Sequence, residues 1–241
     1  MKIPYKQLML LVFLYLTTVF FAGCVDTSVN PIPSSIDYSS QMKVVNLATG
    51  AGSASLTLNG QSLGSVTFGG ELPGPQAGFL TIPSGSKTLA VSFDNGRSKS
   101  FRFSAATEYK FRAFLVGDAA DTTGPSVVIV NQRYIWQTKD SENGQKLFPA
   151  DTGWVSVFNG SPDITINSIA IGTNETEFDT PLGLGQGSSY IKNSAGNKTV
   201  VVTYNDTETL SFSLDLNAKS RYTIALYDVS ANLKYAVLVD D

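Results

Sequence analysis

From Met42 onward the chain is written in a period of two. Apolar and β-branched residues alternate with polar ones in short runs, and Gly, Asn, Asp, Ser or Pro closes each run. Successive side chains of a strand point to opposite faces, so this pattern makes half-buried strands. The clearest runs are 53–59, 88–93, 109–116, 126–136, 199–204 and 222–228. Between them lie Asn59-Gly60, Asp94-Asn95-Gly96 and Asn205-Asp206, residue types that tolerate the left-handed backbone of tight hairpins. No segment sustains a 3.6-residue period with caps at its ends. Many short strands at regular spacing predict an all-β chain built as β-sandwiches.

The pattern occurs twice, and this repeat sets the number of domains. Met42 to Asn46 matches Gly153 to Asn159, with Asn46 opposite Asn159. Leu56-Thr57-Leu58-Asn59-Gly60 matches Ile164-Thr165-Ile166-Asn167-Ser168. Ser86 to Phe93 matches Asn197 to Tyr204, and Glu108 to Phe114 matches Arg221 to Tyr227. The offset lies between 108 and 113 residues. Two tandem immunoglobulin-like antiparallel β-sandwiches are therefore expected, over 42–136 and 152–241, with 137–151 as linker. Their cores should draw on Val44, Leu56, Val91, Phe111, Ala113 and Val128 in the first copy. Val155, Ile166, Val202, Phe212, Ile224 and Val237 play that part in the second.

The run Val157-Phe158-Asn159-Gly160-Ser161-Pro162-Asp163, an apolar strand ending in Asn before a Ser-Pro-Asp turn, resembles domain of unknown function 4397. That bacterial envelope family often occurs in tandem. The first copy, at Val45-Asn46-Leu47-Ala48-Thr49-Gly50, lacks the Pro-Asp step. Pro83 to Thr88 resembles the family's entry into a later strand. The resemblance spans most of 42–241 and implies a fold without catalytic residues.

Ahead of the body, Lys2 and Lys6 precede an apolar run, 8–21, broken only by Tyr15, Thr17 and Thr18. A membrane span needs about 20 residues; this shorter run suits the core of a signal peptide. Phe21-Ala22-Gly23-Cys24 resembles the bacterial lipobox, with Phe21 where Leu is usual. The resemblance implies a signal peptide over 1–23, cleavage before Cys24 and a lipidated cysteine carrying palmitate-like chains. Each buried methylene adds about 0.8 kcal/mol of membrane affinity. Residues 24–41, rich in Ser, Thr, Asn and Pro, read as a flexible tether. The expected place is the cell envelope, at the outer membrane, on its periplasmic face or the cell surface.

Composition narrows the chemistry. The chain has no histidine and one cysteine, Cys24. A Ser-His-Asp or Cys-His site is thereby excluded, and zinc loses its usual ligands. No metal or cofactor is expected. Lys and Arg number 17 against 20 Asp and Glu. This acidic balance opposes nucleic-acid binding, which rests on neutralising phosphates.

Three groups could still carry function. Glu175, Glu177 and Asp179 alternate, so a strand would place them on one face, where a carboxylate-based glycosidase could find its two acids. Asp118 and Asp121 could bind calcium, though a polar turn explains them as well. Tyr134 and Trp136 alternate too, and could stack on a sugar ring if their face met solvent. Both copies also hold a Gly-rich loop, 69–78 and 180–187, at matched places. The reading that follows is a non-catalytic envelope lipoprotein, a structural or interaction module. Its partners would be the membrane, through Cys24, and an envelope polysaccharide or protein.

Overall fold

In a computed structural model of the chain, residues 38–121, 124–131 and 151–240 are described. The alternating runs become strands that pair into four sheets. In the first copy, β4 (Glu71–Leu72), β1 (Ser39–Asn46), β8 (Lys110–Val116) and β9 (Ser126–Asn131) lie in that order, with β5 (Leu80–Pro83) also pairing β1. Facing them is the sheet β3 (Gln61–Val66), β2 (Ala54–Leu58), β6 (Gly85–Phe93), β7 (Ser98–Ala105). The second copy repeats the order. One sheet runs β13 (Ile191–Ser194), β10 (Thr152–Asn159), β16 (Arg221–Tyr227), β17 (Lys234–Val239). The other runs β12 (Asn174–Leu182), β11 (Ile166–Ile171), β14 (Gly196–Tyr204), β15 (Glu208–Leu216). The protein is all-β, of sandwich type.

Pairing is antiparallel with one exception in each copy: β1 runs parallel to β8, and β10 parallel to β16. Alternation says which face a residue takes, not which neighbour its strand finds, so strand direction was beyond the pattern. The registers also correct two repeat matches. In one, Leu56 pairs Val91 and Ile169 pairs Val202, so Leu56 corresponds to Ile169 and not to Ile164. In the other, Asn46 faces Leu115, and Asn159 faces Leu226. Phe111 therefore corresponds to Tyr222, and Arg112 to Thr223, two residues from the match of Glu108 with Arg221. A slip of two keeps every side chain on its face, which is why the sequence hid it.

Each sandwich closes over its own apolar cluster. Met42, Val44, Leu56, Leu89, Val91 and Leu115 are among those filling the first, and Val155, Val157, Ile166, Ile169, Val202 and Ile224 are among those filling the second. Phe101 and Phe103 pack at the margin of the first, and Val237 at the margin of the second. Val128 belongs elsewhere. It sits opposite Phe114, and both point away from the first core into a third cluster with Val45, Leu47, Phe158, Ala225 and Leu238. That cluster joins the two copies. The sheets holding β1 and β10 are thus buried on both faces, and the order of layers is sheet, core, sheet, interface, sheet, core, sheet. All lie within one compact unit, 38–241.

Candidate functional site

The asparagine ending the first strand of each copy is a structural pin. The Asn159 Nδ2 donates to the carbonyls of Ile164 and Leu182, at 2.9 and 2.8 Å, and its Oδ1 accepts from the Ser161 amide. The Asn46 side chain does the same with Gly52, Val66 and Ala48. Both are fully buried. One side chain thus satisfies three backbone groups that the crossing between sheets would strand. Past it the copies diverge. Asp163 accepts from the Ser230 amide and hydroxyl in the second copy. In the first, Thr49 bridges Asp118 through backbone bonds to Gly117 and Ala119.

The Gly-rich loops serve contact between the copies. Gly69 has φ +76°, and a Cβ there would stand 2.5 Å from the Tyr227 hydroxyl. Gly185, at φ +77°, faces Val128 at 2.9 Å, and Gly160 faces Leu47 at 2.7 Å. Each lets backbone approach the other copy where a side chain would not fit. Phe114 and Phe158 stack across the same seam, centroids 3.9 Å apart. Phe68 meets Tyr227 edge to face at 5.1 Å.

At the other end of the seam lies a buried polar cluster. Arg112 and Asp240 are fully buried. The Arg112 guanidinium donates to the Asp240 carboxylate, to the Val239 carbonyl at 2.9 Å and to Glu71 at 3.3 Å. Lys43 holds the other Glu71 oxygen at 3.0 Å. Within the second copy, Asp240 accepts from the hydroxyls of Tyr190 and Thr223, each at 2.7 Å. Thr223 and Ser156 share a further bond at 3.0 Å. Burial, then the Asp240 charge, push the Tyr190 phenol well above the ordinary tyrosine range. Two first-copy cations, one carboxylate from each copy and three second-copy hydroxyls thus bind the sandwiches together. Sequence reasoning missed this cluster. Its only signal was charge and hydroxyl groups on the alternate positions of otherwise apolar strands: Lys43 and Arg112, Ser156 and Thr223.

Beside the cluster a cleft of about 380 Å³ opens between the copies, lined by Val130, Asn131, Ser156, Ser188, Tyr190 and Thr223. The hydroxyls of Ser156, Ser188, Tyr190 and Thr223 already hold partners. Besides those above, Ser188 accepts from the Val157 amide and donates to the Ser189 carbonyl.

The sequence candidates are not brought together. Cys24, Tyr134 and Trp136 lie outside the described residues, as does most of the linker. Glu175, Glu177 and Asp179 do share one face of β12, with Phe178 turned toward the core. That strand is a sheet edge and the three acids are exposed. Glu175 and Glu177 border only a surface depression of about 340 Å³ with Asn167, Ser168, Thr203 and Asp206. A glycosidase acid works where burial keeps it protonated, and this ledge does not enclose one. The Asp118 carboxylate caps its own turn at the Ala120 amide, 2.7 Å away, while Arg97 holds the Ala120 and Asp121 carbonyls. Among the described residues, no group of three or more Asp, Glu, Cys or His could hold a metal.

Each copy is a β-sandwich pinned by its asparagine, and a family model matches one of the two. Residues 153–241 match the family described as "Domain of unknown function (DUF4397)". That match covers the second copy alone, against the expectation of a tandem pair. No curated protein matches the chain. Among solved structures, the chain is similar to a β-glycosidase from Bacteroides vulgatus. Identity is 12%, the TM-score is 0.17, and the alignment covers 75% of this chain and 25% of that one. The chain thus spans about a quarter of that enzyme. A likeness this low carries no argument about activity, and neither finding indicates a catalytic family.

Proposed function

We propose that this protein is a non-catalytic lipoprotein of the cell envelope, in which a lipid on Cys24 displays a rigid double sandwich as a structural or interaction module. The observation that carries the reading is the joint between the copies. Two fully buried charged groups of the body, Arg112 and Asp240, are spent on holding one sandwich against the other. An enzyme places such groups around a substrate; a spacer places them in its joints. The exposed Glu175 and Glu177 and the self-satisfied cleft fit the same reading, as does the lipobox-like stretch ending at Cys24.

Metabolic labelling with an alkyne palmitate tests the anchor. The full chain should take the label and sediment with membranes, and Cys24→Ser should do neither. An unlabelled parent chain would overturn the anchor. The partner we propose is an envelope polysaccharide or protein. A glycan array probed with the full chain and with Trp136→Ala separates the two: binding lost in the variant points to polysaccharide through the Tyr134–Trp136 pair, and no binding to any glycan points to protein.

A further inference from the structure

The strands run nearly end to end, so each sandwich has two poles, and the joint aligns the poles of both copies. At one, the base, the chain enters β1: the Ser84 amide meets the Tyr38 carbonyl and Glu108 meets Ser39. In the second copy the base holds the contacts of Lys219 with Thr152 and Asp240 with Arg221. At the other, the crown, Asn46 meets Gly70, Asp94 meets Ser53, Gly160 meets Leu226 and Asn205 meets Thr165. Arg112 and Asp240 tie base half to base half. Gly160 against Leu47 and Gly69 against Tyr227 tie crown to crown.

Charge is divided between these poles. The crown carries Asp94, Asp118, Asp121, Asp163, Asp206 and Glu208, none of them buried. Against them stand Arg97 and Lys99; Lys234 is engaged by Asp228 at 2.9 Å. The base carries Arg102, Lys110, Lys192, Lys198 and Lys219 beside Glu108, Asp151, Glu175 and Asp215, again none buried. Among the described residues, six carboxylates against two cations at one end face a near balance, with a slight cationic excess, at the other.

We infer that the base is a membrane-facing surface that seats on anionic lipid headgroups, so that the body stands with its acidic crown turned outward. The inference rests on the lipid anchor proposed above. An anionic bilayer attracts lysines and repels carboxylates within about one Debye length, roughly 8 Å at physiological salt. A body roughly 30 Å long, the span of a nine-residue strand such as β14, can place only one pole in that layer. The pole where the chain arrives is also the pole the bilayer does not repel. The two effects act together, and the crown loops become the face offered to a partner.

The test uses the full chain, purified with its anchor and reconstituted into vesicles. Single fluorophores are placed at Asn197→Cys on the base and Thr207→Cys on the crown, with an energy acceptor on the lipid headgroups. In phosphatidylcholine vesicles containing phosphatidylglycerol, the base probe should transfer several-fold more efficiently than the crown probe. The ratio should fall toward one in pure phosphatidylcholine, and in Lys192→Glu with Lys198→Glu and Lys219→Glu. Equal transfer from both probes on phosphatidylglycerol vesicles overturns the inference, as does a ratio indifferent to the lipid or to the three lysines. The parent chain, whose single cysteine is Cys24, is the control. If it refuses maleimide, the anchor stands and the probes decide orientation alone. If it accepts maleimide, the anchor falls, and the inference with it.

Discussion

Asp240 is the residue whose loss should matter most, because it serves both copies at once. Asp240→Ala removes the ion pair to Arg112 and the acceptor for the hydroxyls of Tyr190 and Thr223. The Arg112 guanidinium stays fully buried, with the Val239 carbonyl at 2.9 Å and Glu71 at 3.3 Å as its remaining partners. Breaking one side of a buried pair costs about 3–5 kcal/mol, most of it the penalty on the charge left behind. For a body of this size each kcal/mol moves the melting temperature by about 2–4 °C, so a fall on the order of 6–20 °C is expected. Removing both charges should cost less than removing one, since a buried pair can often be replaced by apolar groups at no net cost. Arg112→Met with Asp240→Leu should therefore melt above Asp240→Ala, with Glu71 still held by Lys43 at 3.0 Å. Calorimetry and guanidinium titration of the parent, Asp240→Ala, the single variants Arg112→Met and Asp240→Leu, and the double variant close the cycle. A cost below about 1 kcal/mol for Asp240→Ala, or a double variant less stable than either single one, would refute the view that this pair joins the copies.

Two further outcomes follow from the same joint. Gly69→Ala forces a Cβ to within 2.5 Å of the Tyr227 hydroxyl at a φ of +76°; overpacking and left-handed strain together should cost about 2–4 kcal/mol, read from the urea midpoint. Adding Tyr227→Phe should recover part of that loss, and no recovery would place the clash elsewhere. Tyr190 should shape the alkaline limb of stability. Its folded pKa lies above the unfolded value, so its contribution is complete below about pH 10 and is lost as pH rises beyond it. Tyr190→Phe should lower stability at neutral pH and flatten the decline above pH 10, measured by urea unfolding across that range.

Much of the site was illegible for one reason: its partners are far apart in sequence. Arg112 and Asp240 are separated by 128 residues, and nothing local to either marks the other. Val128 shows the same limit on the apolar side. Alternation placed it on one face of β9 but could not say whether that face met the first core or the second copy. The Gly-rich loops were visible as a matched pair, yet a glycine's role depends on what approaches it, and Tyr227 and Val128 approach from the opposite copy. Asn46 and Asn159 were paired by the repeat; their bonding became clear only once the crossing strands surrounded them.

The amino-acid sequence by itself determined the strands, the faces they bury, the turns between them and the twofold repeat. Those follow from forces that act within a few residues: side-chain alternation, the left-handed tolerance of Asn and Gly, and β-branched stiffness. Tertiary structure alone decided that the first strand of each copy runs parallel to its neighbour, that two sheets are buried on both faces, and that a charge cluster locks the copies with their poles aligned. Those depend on which surfaces meet, and a surface reads its partner through shape, desolvation and charge across distances that no local pattern encodes.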